Sequence, residues 1–412
     1  MEVVRELCSF EGRGPGTDAE RRAANMLAGR LRAIGRRVQI EPFFSHPQYP
    51  VVHLIHAAIG VAGSLVALIQ PAAGFALVFF AAISTYLDLN TRLYLVRSLL
   101  FRRISQNVVS PGNRPDAPAR LILMAHYDAA RTGYIFSKGS KRIRRVPERF
   151  RLGLGPFRLF FWAGLAPLLP VLAARMAGLD PSWLSILQAI PTIVLIVAGF
   201  LLIDIALSEI VPGAYDNASG VAAVLSAAES LTADPPANLD VWVLLAGSEE
   251  SLCEGSRAFV RAQRKQLDRE TTRFINVDSV SYGEVAYEIS QGAVISFNHD
   301  PQLIELCEAL SSAGAGEAKP IRHSALDDAL PPRVLRMRSI TIRTTDAEGN
   351  LAPWYHTHED TLERVDAAAL TRATEFVVGL ARLLDREAGR RRPVTTSAAA
   401  SASPASATAN RV

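Results

Sequence analysis

Apolar positions along this chain fall into two regimes. From 51 to 89 (VVHLIHAAIGVAGSLVALIQPAAGFALVFFAAISTYLDL) no charge precedes Asp88. Gln70-Pro71 splits this run into halves of about 18 residues, each long enough to cross a bilayer core. A second pair follows at 152–174 (LGLGPFRLFFWAGLAPLLPVLAA) and 183–207 (WLSILQAIPTIVLIVAGFLLIDIAL), parted by a turn at Asp180-Pro181. The pattern predicts two transmembrane hairpins, at 51–89 and 152–210. Asp204 is the one carboxylate well inside a span, close enough to its end to sit at the interface or face a neighbouring helix.

Elsewhere the pattern is that of an α/β protein. Helical spacing with a glycine stop marks 16–34, and VQIEPF at 38–43 reads as a strand. After the first hairpin come a linker (NVVSPGNRPDAPAR) and a strand, LILMAH. From 216 the elements alternate: helix 219–233, strand 239–246, helix 254–268, strand 273–278, helix 301–313, strand 339–343 and helix 366–386. Alternation of this kind predicts a mainly parallel mixed sheet covered by helices on both faces. The domain is thus read as an N-terminal part (1–50), a strand and basic loop (90–151) and a main part (211–388), interrupted by the hairpins. The small, polar tail 389–412 is expected to be disordered.

Composition adds a sidedness. The chain has 412 residues, 49% of them hydrophobic, a net charge of +4 and a mean hydropathy of +0.16. Arg92, Arg97, Arg102 and Arg103 follow the first hairpin, and Lys138, Lys141, Arg142, Arg144, Arg145, Arg149 and Arg151 precede the second. The turns within the hairpins lack such residues apart from Arg175. By the positive-inside bias the N-terminus, the segment between the hairpins and the long C-terminal part face the cytoplasm of a multi-pass membrane protein. The basic run KGSKRIRR lacks interleaved aromatics, so lipid rather than nucleic acid is the expected partner. Cys8, Cys253 and Cys307 have no metal-ligand spacing and form no disulfide framework, which suits a reducing compartment. The first 45 residues are charged, so no cleavable signal peptide is expected.

Metal-competent residues gather where strands end, the usual place for function in such sheets. LILMAH ends in His126 and Asp128, which share a face because strand side chains alternate. The next strand ends in AGSEES with Glu249 and Glu250, and the third in INVDS with Asp278. YDNASG places Asp216 and Asn217 before a helix, and WYHTHEDT carries His356, His358 and Asp360.

AHYD, YDNASGVAAVL, GSEESLCEGSRAFV, INVDS and YHTHEDTLERVD, in this order, resemble the motifs of the co-catalytic zinc aminopeptidase family. That family includes leucyl-type and vacuolar aminopeptidases, glutamate carboxypeptidases, glutaminyl cyclases and the peptidase-like domain of transferrin receptor. GRGPGTDAERRAANML is similar to its opening segment, and the likeness covers 11–45, 118–133 and 211–387. The resemblance implies two zinc ions: His126 and Asp278 on one, His356 and Glu250 on the other, with Asp216 bridging. It implies Glu249 as general base and Asp128 as the residue that orients His126. His356, rather than His358, falls at the last ligand position, and His323 lies where relatives carry pocket residues. The implied activity is removal of N-terminal residues from peptides, with carboxypeptidase, cyclase-like and catalytically altered binding-protein alternatives open. Family members place DNASG a short loop after AHxD; here the basic loop and second hairpin intervene, which loop entropy tolerates. A peptide presented near the membrane is the expected substrate, and the oligomeric state is left open.

Overall fold

The computed structural model describes residues 1–137, 139–140, 155–313 and 317–390. Most of the basic loop and the tail after 390, expected to touch lipid and to be disordered, lie outside the described residues.

Two short N-terminal helices, α1 (Glu2–Cys8) and α2 (Asp18–Ala33), precede strand β1 (Gln39–Ser45). Thr17 caps α2 by accepting from the Glu20 amide. A helical hairpin follows, α3 (Tyr49–Val66) and α4 (Pro71–Leu89), and then β2 (Arg103–Ser110) and β3 (Ala119–His126). The second hairpin is a helix α5 over Pro156–Met176 and α6 (Ser182–Leu207). Helix α5 contains a π-helical turn at Phe160–Leu165 ahead of the internal Pro170, the residue whose missing N–H and ring bulk disturb a regular ladder. Then come α7 (Ser219–Ala233), β4 (Leu239–Ala246), α8 (Glu254–Gln263), β5 (Thr272–Val277), β6 (Glu284–Gln291), β7 (Phe297–Asn298), α9 (Pro301–Ser312), β8 (Ala318–Arg322), α10 (Leu330–Val334), β9 (Arg338–Thr345) and α11 (Ala367–Arg390).

The strands form one sheet in the order β1-β2-β4-β3-β5-β9-β6-β7, with β8 also on β6. Its centre, β4-β3-β5-β9, is parallel, and antiparallel strands flank it on both sides. Period two in β3 divides the core. Leu121, Leu123 and Ala125 join α2, α7 and α11 in one cluster, while Ile122 and Met124 join Phe259 and Val260 of α8 in another. Helices therefore cover both faces, as the alternation predicts.

Two expectations need correction. Strand β2 runs into the stretch read as a linker: Val108 and Val109 are both buried between neighbours, so no alternation betrayed them. The helix expected over 254–268 ends at Gln263, because the Asp268 carboxylate accepts from the amides of Glu270 and Thr271 and closes a turn of its own.

All four long apolar helices are long and apolar enough to cross a membrane. They pack on Ala57, Val78, Ala81, Leu165, Leu168 and Leu195. At Gly74 an added Cβ would lie 2.4 Å from the Gly63 carbonyl, so α3 and α4 approach through small residues. Large apolar side chains face outward, Phe200 at 69% and Ile186 at 64% exposure among them. Several polar groups inside pair with one another: Ser64 Oγ meets Thr192 Oγ1 at 2.7 Å, and Gln188 joins Arg175 to Ser64. Asp204 accepts from the Tyr134 amide, at the base of the bundle.

Candidate active site

The carboxyl ends of β3, β4 and β5 lie side by side, with His126 opposite Ala246 in the ladder. Their continuations and two loops converge on Asp216. His126 Nε2 is 3.1 Å from Asp216 Oδ1, and His356 Nε2 is 2.9 Å from Asp216 Oδ2. One carboxylate thus spans two imidazoles. His356 Nε2 lies 3.5 Å from Glu250 Oε1, and His126 Nε2 lies 3.9 Å from Glu249 Oε2. All are buried or nearly so. His358, by contrast, is turned outward toward Glu209.

Asp216 is aimed by its neighbours. Its peptide bond to Asn217 is cis. Asp360 accepts from the amides of Tyr215 (2.7 Å) and Asp216 (3.1 Å). Asn217 accepts from Gly220 N and Ser279 N and donates to Val277 O, which ties the Asp216 loop to the end of β5. Arg13, fully buried, donates to the carbonyls of Leu7, Tyr127 and Gly213 and so fastens the β3 end to the same loop.

Glu249 and Glu250 sit on a tight turn in which Ser248, Leu252 and Cys253 have positive φ, a conformation costly for side chains with a Cβ. Asp128 holds it: Oδ1 accepts from Glu249 N and Oδ2 from Glu250 N, both at 3.0 Å. Its distance to His126 Nδ1 is 3.6 Å, longer than a hydrogen bond. The same carboxylate faces the His126 ring, and with one turn amide on each oxygen it keeps lone pairs free on that side. Behind the turn, Glu20 accepts from Ser248 N and Ser105 Oγ, and burial, with Asp128 nearby, pushes its carboxyl up to about 8.

Asp278, at the end of β5, accepts from Ser279 Oγ and lies 3.5 Å from Arg343, which also pairs with Glu288 (2.6 Å) and Asp327 (3.1 Å). Arg343 escaped the sequence reading, although an arginine in the middle of an apolar strand, ITIRTT, is a signal of a buried acid nearby. Asp328 escaped it too. Its carboxylate is fully buried, clusters with Glu249 and Cys253, and has no hydrogen-bond partner among the described residues. His323 is placed electrostatically near Glu288 and Arg343, with burial pulling its ring below the usual range.

The charges explain one another. Burial alone would lower His126 and His356, yet Glu249 and Asp216 hold His126 well above the imidazole range, and Glu250 with Asp216 holds His356 up at about 10. Asp216 is held far below the carboxylate range by the two imidazoles, against its burial. Burial pushes Glu249 well above that range. The donor set suits a divalent metal. His126, Asp216 and Glu250 each offer an atom within 4.8 Å of the others, and His126 Nδ1, Glu250 Oε1 and His356 Nδ1 lack hydrogen-bond partners among the described residues. Buried imidazole and carboxylate around one point are zinc chemistry.

Residues 202–381 match Peptidase family M28. A probable leucine aminopeptidase of Arthroderma benhamiae is 27% identical over 180 residues, 41% of this chain and 47% of its own length. The chain thus aligns with less than half of that relative. In fold, the chain is similar to a zinc aminopeptidase from Bacillus subtilis (TM-score 0.53, 13% identity, 92% of this chain and 93% of that one). It is also similar to the glutaminyl cyclase of Bacteroides thetaiotaomicron (TM-score 0.50, 15% identity, 92% and 95%). His126 and Asp128 precede the matched segment, and the fold delivers them to it. Residues 202–381, somewhat less than half of the chain, are thus similar to Peptidase family M28.

Proposed function

We propose that this protein is a membrane-anchored, zinc-dependent exopeptidase that removes N-terminal residues from peptides. The observation that carries the reading is Asp216, whose two oxygens face His126 on one side and His356 on the other. His126 with Asp278 would hold one zinc ion and His356 with Glu250 a second, with Asp216 shared between them. Bound zinc supplies Lewis acidity toward the scissile carbonyl and toward water.

The chain's own groups do the rest. Glu249 takes the proton of the attacking water and passes it to the leaving amine. Asp128 keeps Glu249 and Glu250 in register through their amides. The loss of bulk water around these buried groups strengthens every charge contact among them.

The four apolar helices are the proposed anchor, and the arginines after α4 favour the cytoplasmic side for the peptidase domain by the positive-inside bias. A substrate presented near the bilayer follows from that placement. The test is hydrolysis of free and N-acetylated peptides, with zinc and with chelator, alongside zinc counting. Cleavage of free peptides by protein holding two zinc ions is expected. Cleavage of N-acetylated peptides alone overturns the aminopeptidase reading; one zinc per chain, with cyclisation of N-terminal glutamine, replaces it with a cyclase-like one.

A further inference from the structure

A cavity of about 280 Å³ lies apart from the catalytic centre, between the loop leaving α4, helix α8 and helix α10. Three arginines line it, Arg92, Arg257 and Arg261. None of the three has a carboxylate within ion-pair distance among the described residues; Arg257 is half-buried, and Arg92 and Arg261 are exposed at the rim. Arg257 donates to the Thr91 carbonyl at 2.8 Å and stacks 3.8 Å above the Tyr94 ring. Arg261 donates to the Arg92 carbonyl at 2.6 Å. The guanidinium of Arg92 makes no hydrogen bond or ion pair among the described residues. Burial and the repulsion of Arg257 and Arg264 hold Arg261 below the usual guanidinium range. Three guanidinium groups lining one concavity, with no counter-charge among the described residues, offer an anion convergent charge and hydrogen-bond donors.

The position of the cavity selects the anion. Thr91 and Arg92 follow closely on Leu89, the last residue of a helix apolar enough to span a bilayer. The same loop exposes Leu93 (50%), Leu99 (84%) and Phe101 (60%), next to Arg102 and Arg103. Exposed apolar side chains beside arginines at the end of a span are what the headgroup layer receives. Resting on the proposed membrane anchorage, we infer that the Arg92–Arg257–Arg261 cavity binds the headgroup phosphate of an anionic phospholipid in the leaflet next to the peptidase domain.

The full-length protein, extracted from nanodiscs of phosphatidylcholine with phosphatidylglycerol, is weighed by native mass spectrometry for retained lipid. Wild type is expected to retain phosphatidylglycerol over phosphatidylcholine. Arg92→Gln, which breaks no internal contact, and Arg261→Gln should each weaken that retention about fivefold, the equivalent of ~1 kcal/mol per cation at an anionic surface. Equal retention of the two lipids, or phosphatidylglycerol retention untouched by both variants, overturns the inference. Inorganic phosphate bound as tightly as the lipid, and lost in the same variants, overturns the lipid assignment in favour of a free anion. Flotation with phosphatidylcholine vesicles after an alkaline carbonate wash reports insertion separately, so a chain that never enters the bilayer is told apart from one whose cavity is empty of lipid.

Discussion

Replacing Asp128 by asparagine tests how the catalytic turn is held. The two Asp128 oxygens accept from Glu249 N and Glu250 N, each at 3.0 Å, in a fully buried position. Asparagine keeps the shape but has one oxygen, so its amide nitrogen must face the second N–H. One charge-assisted hydrogen bond is lost, about 1.5–3 kcal/mol, and a buried donor is left without an acceptor, about 1–3 kcal/mol. The combined effect, roughly 3–5 kcal/mol, is divided between stability and turnover. With about 1.4–2.7 kcal/mol of this taken from turnover, the remainder at about 2 °C per kcal/mol in a large domain should lower Tm by roughly 3–5 °C. Turnover should fall about 10- to 100-fold, the range for residues that orient metal-site groups without touching substrate. The assay is kcat of zinc-loaded Asp128→Asn beside zinc affinity and thermal unfolding in the same detergent. If kcat of the loaded variant equals wild type while zinc affinity drops, Asp128 acts on His126 and not on the turn, and its role as the clamp of the Glu249–Glu250 amides is refuted.

Glu249→Gln should abolish turnover while zinc content stays at the wild-type value; an active variant removes Glu249 from the proton-transfer role. The Glu288 carboxyl is held down to about 2 by Arg343 against its burial. A lowered native pKa stabilises above the unfolded value near 4.5, and that stability is lost as pH falls through about 2; it is worth about 3 kcal/mol. Glu288→Gln should therefore flatten the loss of stability between about pH 4.5 and about pH 2 in acid-denaturation curves, and an unchanged curve contradicts it. Arg97→Ala leaves Asp88 buried and unpaired, a cost of about 3–5 kcal/mol, and Asp88→Leu in the same chain should recover most of it; absence of recovery in unfolding measurements would show the pair to be irrelevant. Zinc withdrawn by chelator should lower Tm, and by more as the wild-type zinc affinity is higher, because metal binds the folded site; a Tm indifferent to zinc argues that the centre holds none.

The helices were legible from their spacing and the central strands as short apolar runs bounded by turn residues: α7 and β4 run over the residues their patterns mark. What stayed hidden depends on partners. β2 is buried on both faces without alternation, and β6 mixes polar and apolar residues because Glu288 points inward to Arg343. The residues at the centre of the site were visible as motifs at strand ends, since the chemistry requires particular side chains there. The roles of Asp360, Arg13 and Glu20 were not, since each acts on backbone groups, and which backbone comes near is decided by the tertiary fold. Asp128 shows the same limit. Its place on the face of His126 was readable, but the amides it binds belong to a turn far along the chain.

The first apolar hairpin does more than hang from the rim of the domain. Just before α3, Ser45 Oγ and His46 N donate to Glu254, at 2.7 and 2.6 Å. Just after α4, Arg97 pairs with Asp88 at 2.7 Å and donates to the Ser251 carbonyl at 2.6 Å. Both ends of the insertion thus close on residues 251–254, the segment that follows Glu249 and Glu250. Glu254 is held below the usual carboxylate range, against its burial, by His46 and Arg97. A turn with three positive-φ side-chain residues keeps its shape only where its surroundings over-determine it, and here the hairpin supplies part of that constraint. A change in the seating of α3 and α4 must then reach Glu249 through Arg97 and Ser251, a path of a few buried polar contacts with no loop in between to absorb it. The bundle is in this sense part of the structure that holds the catalytic turn, and loosening it should lower turnover even where the metal ligands themselves are intact.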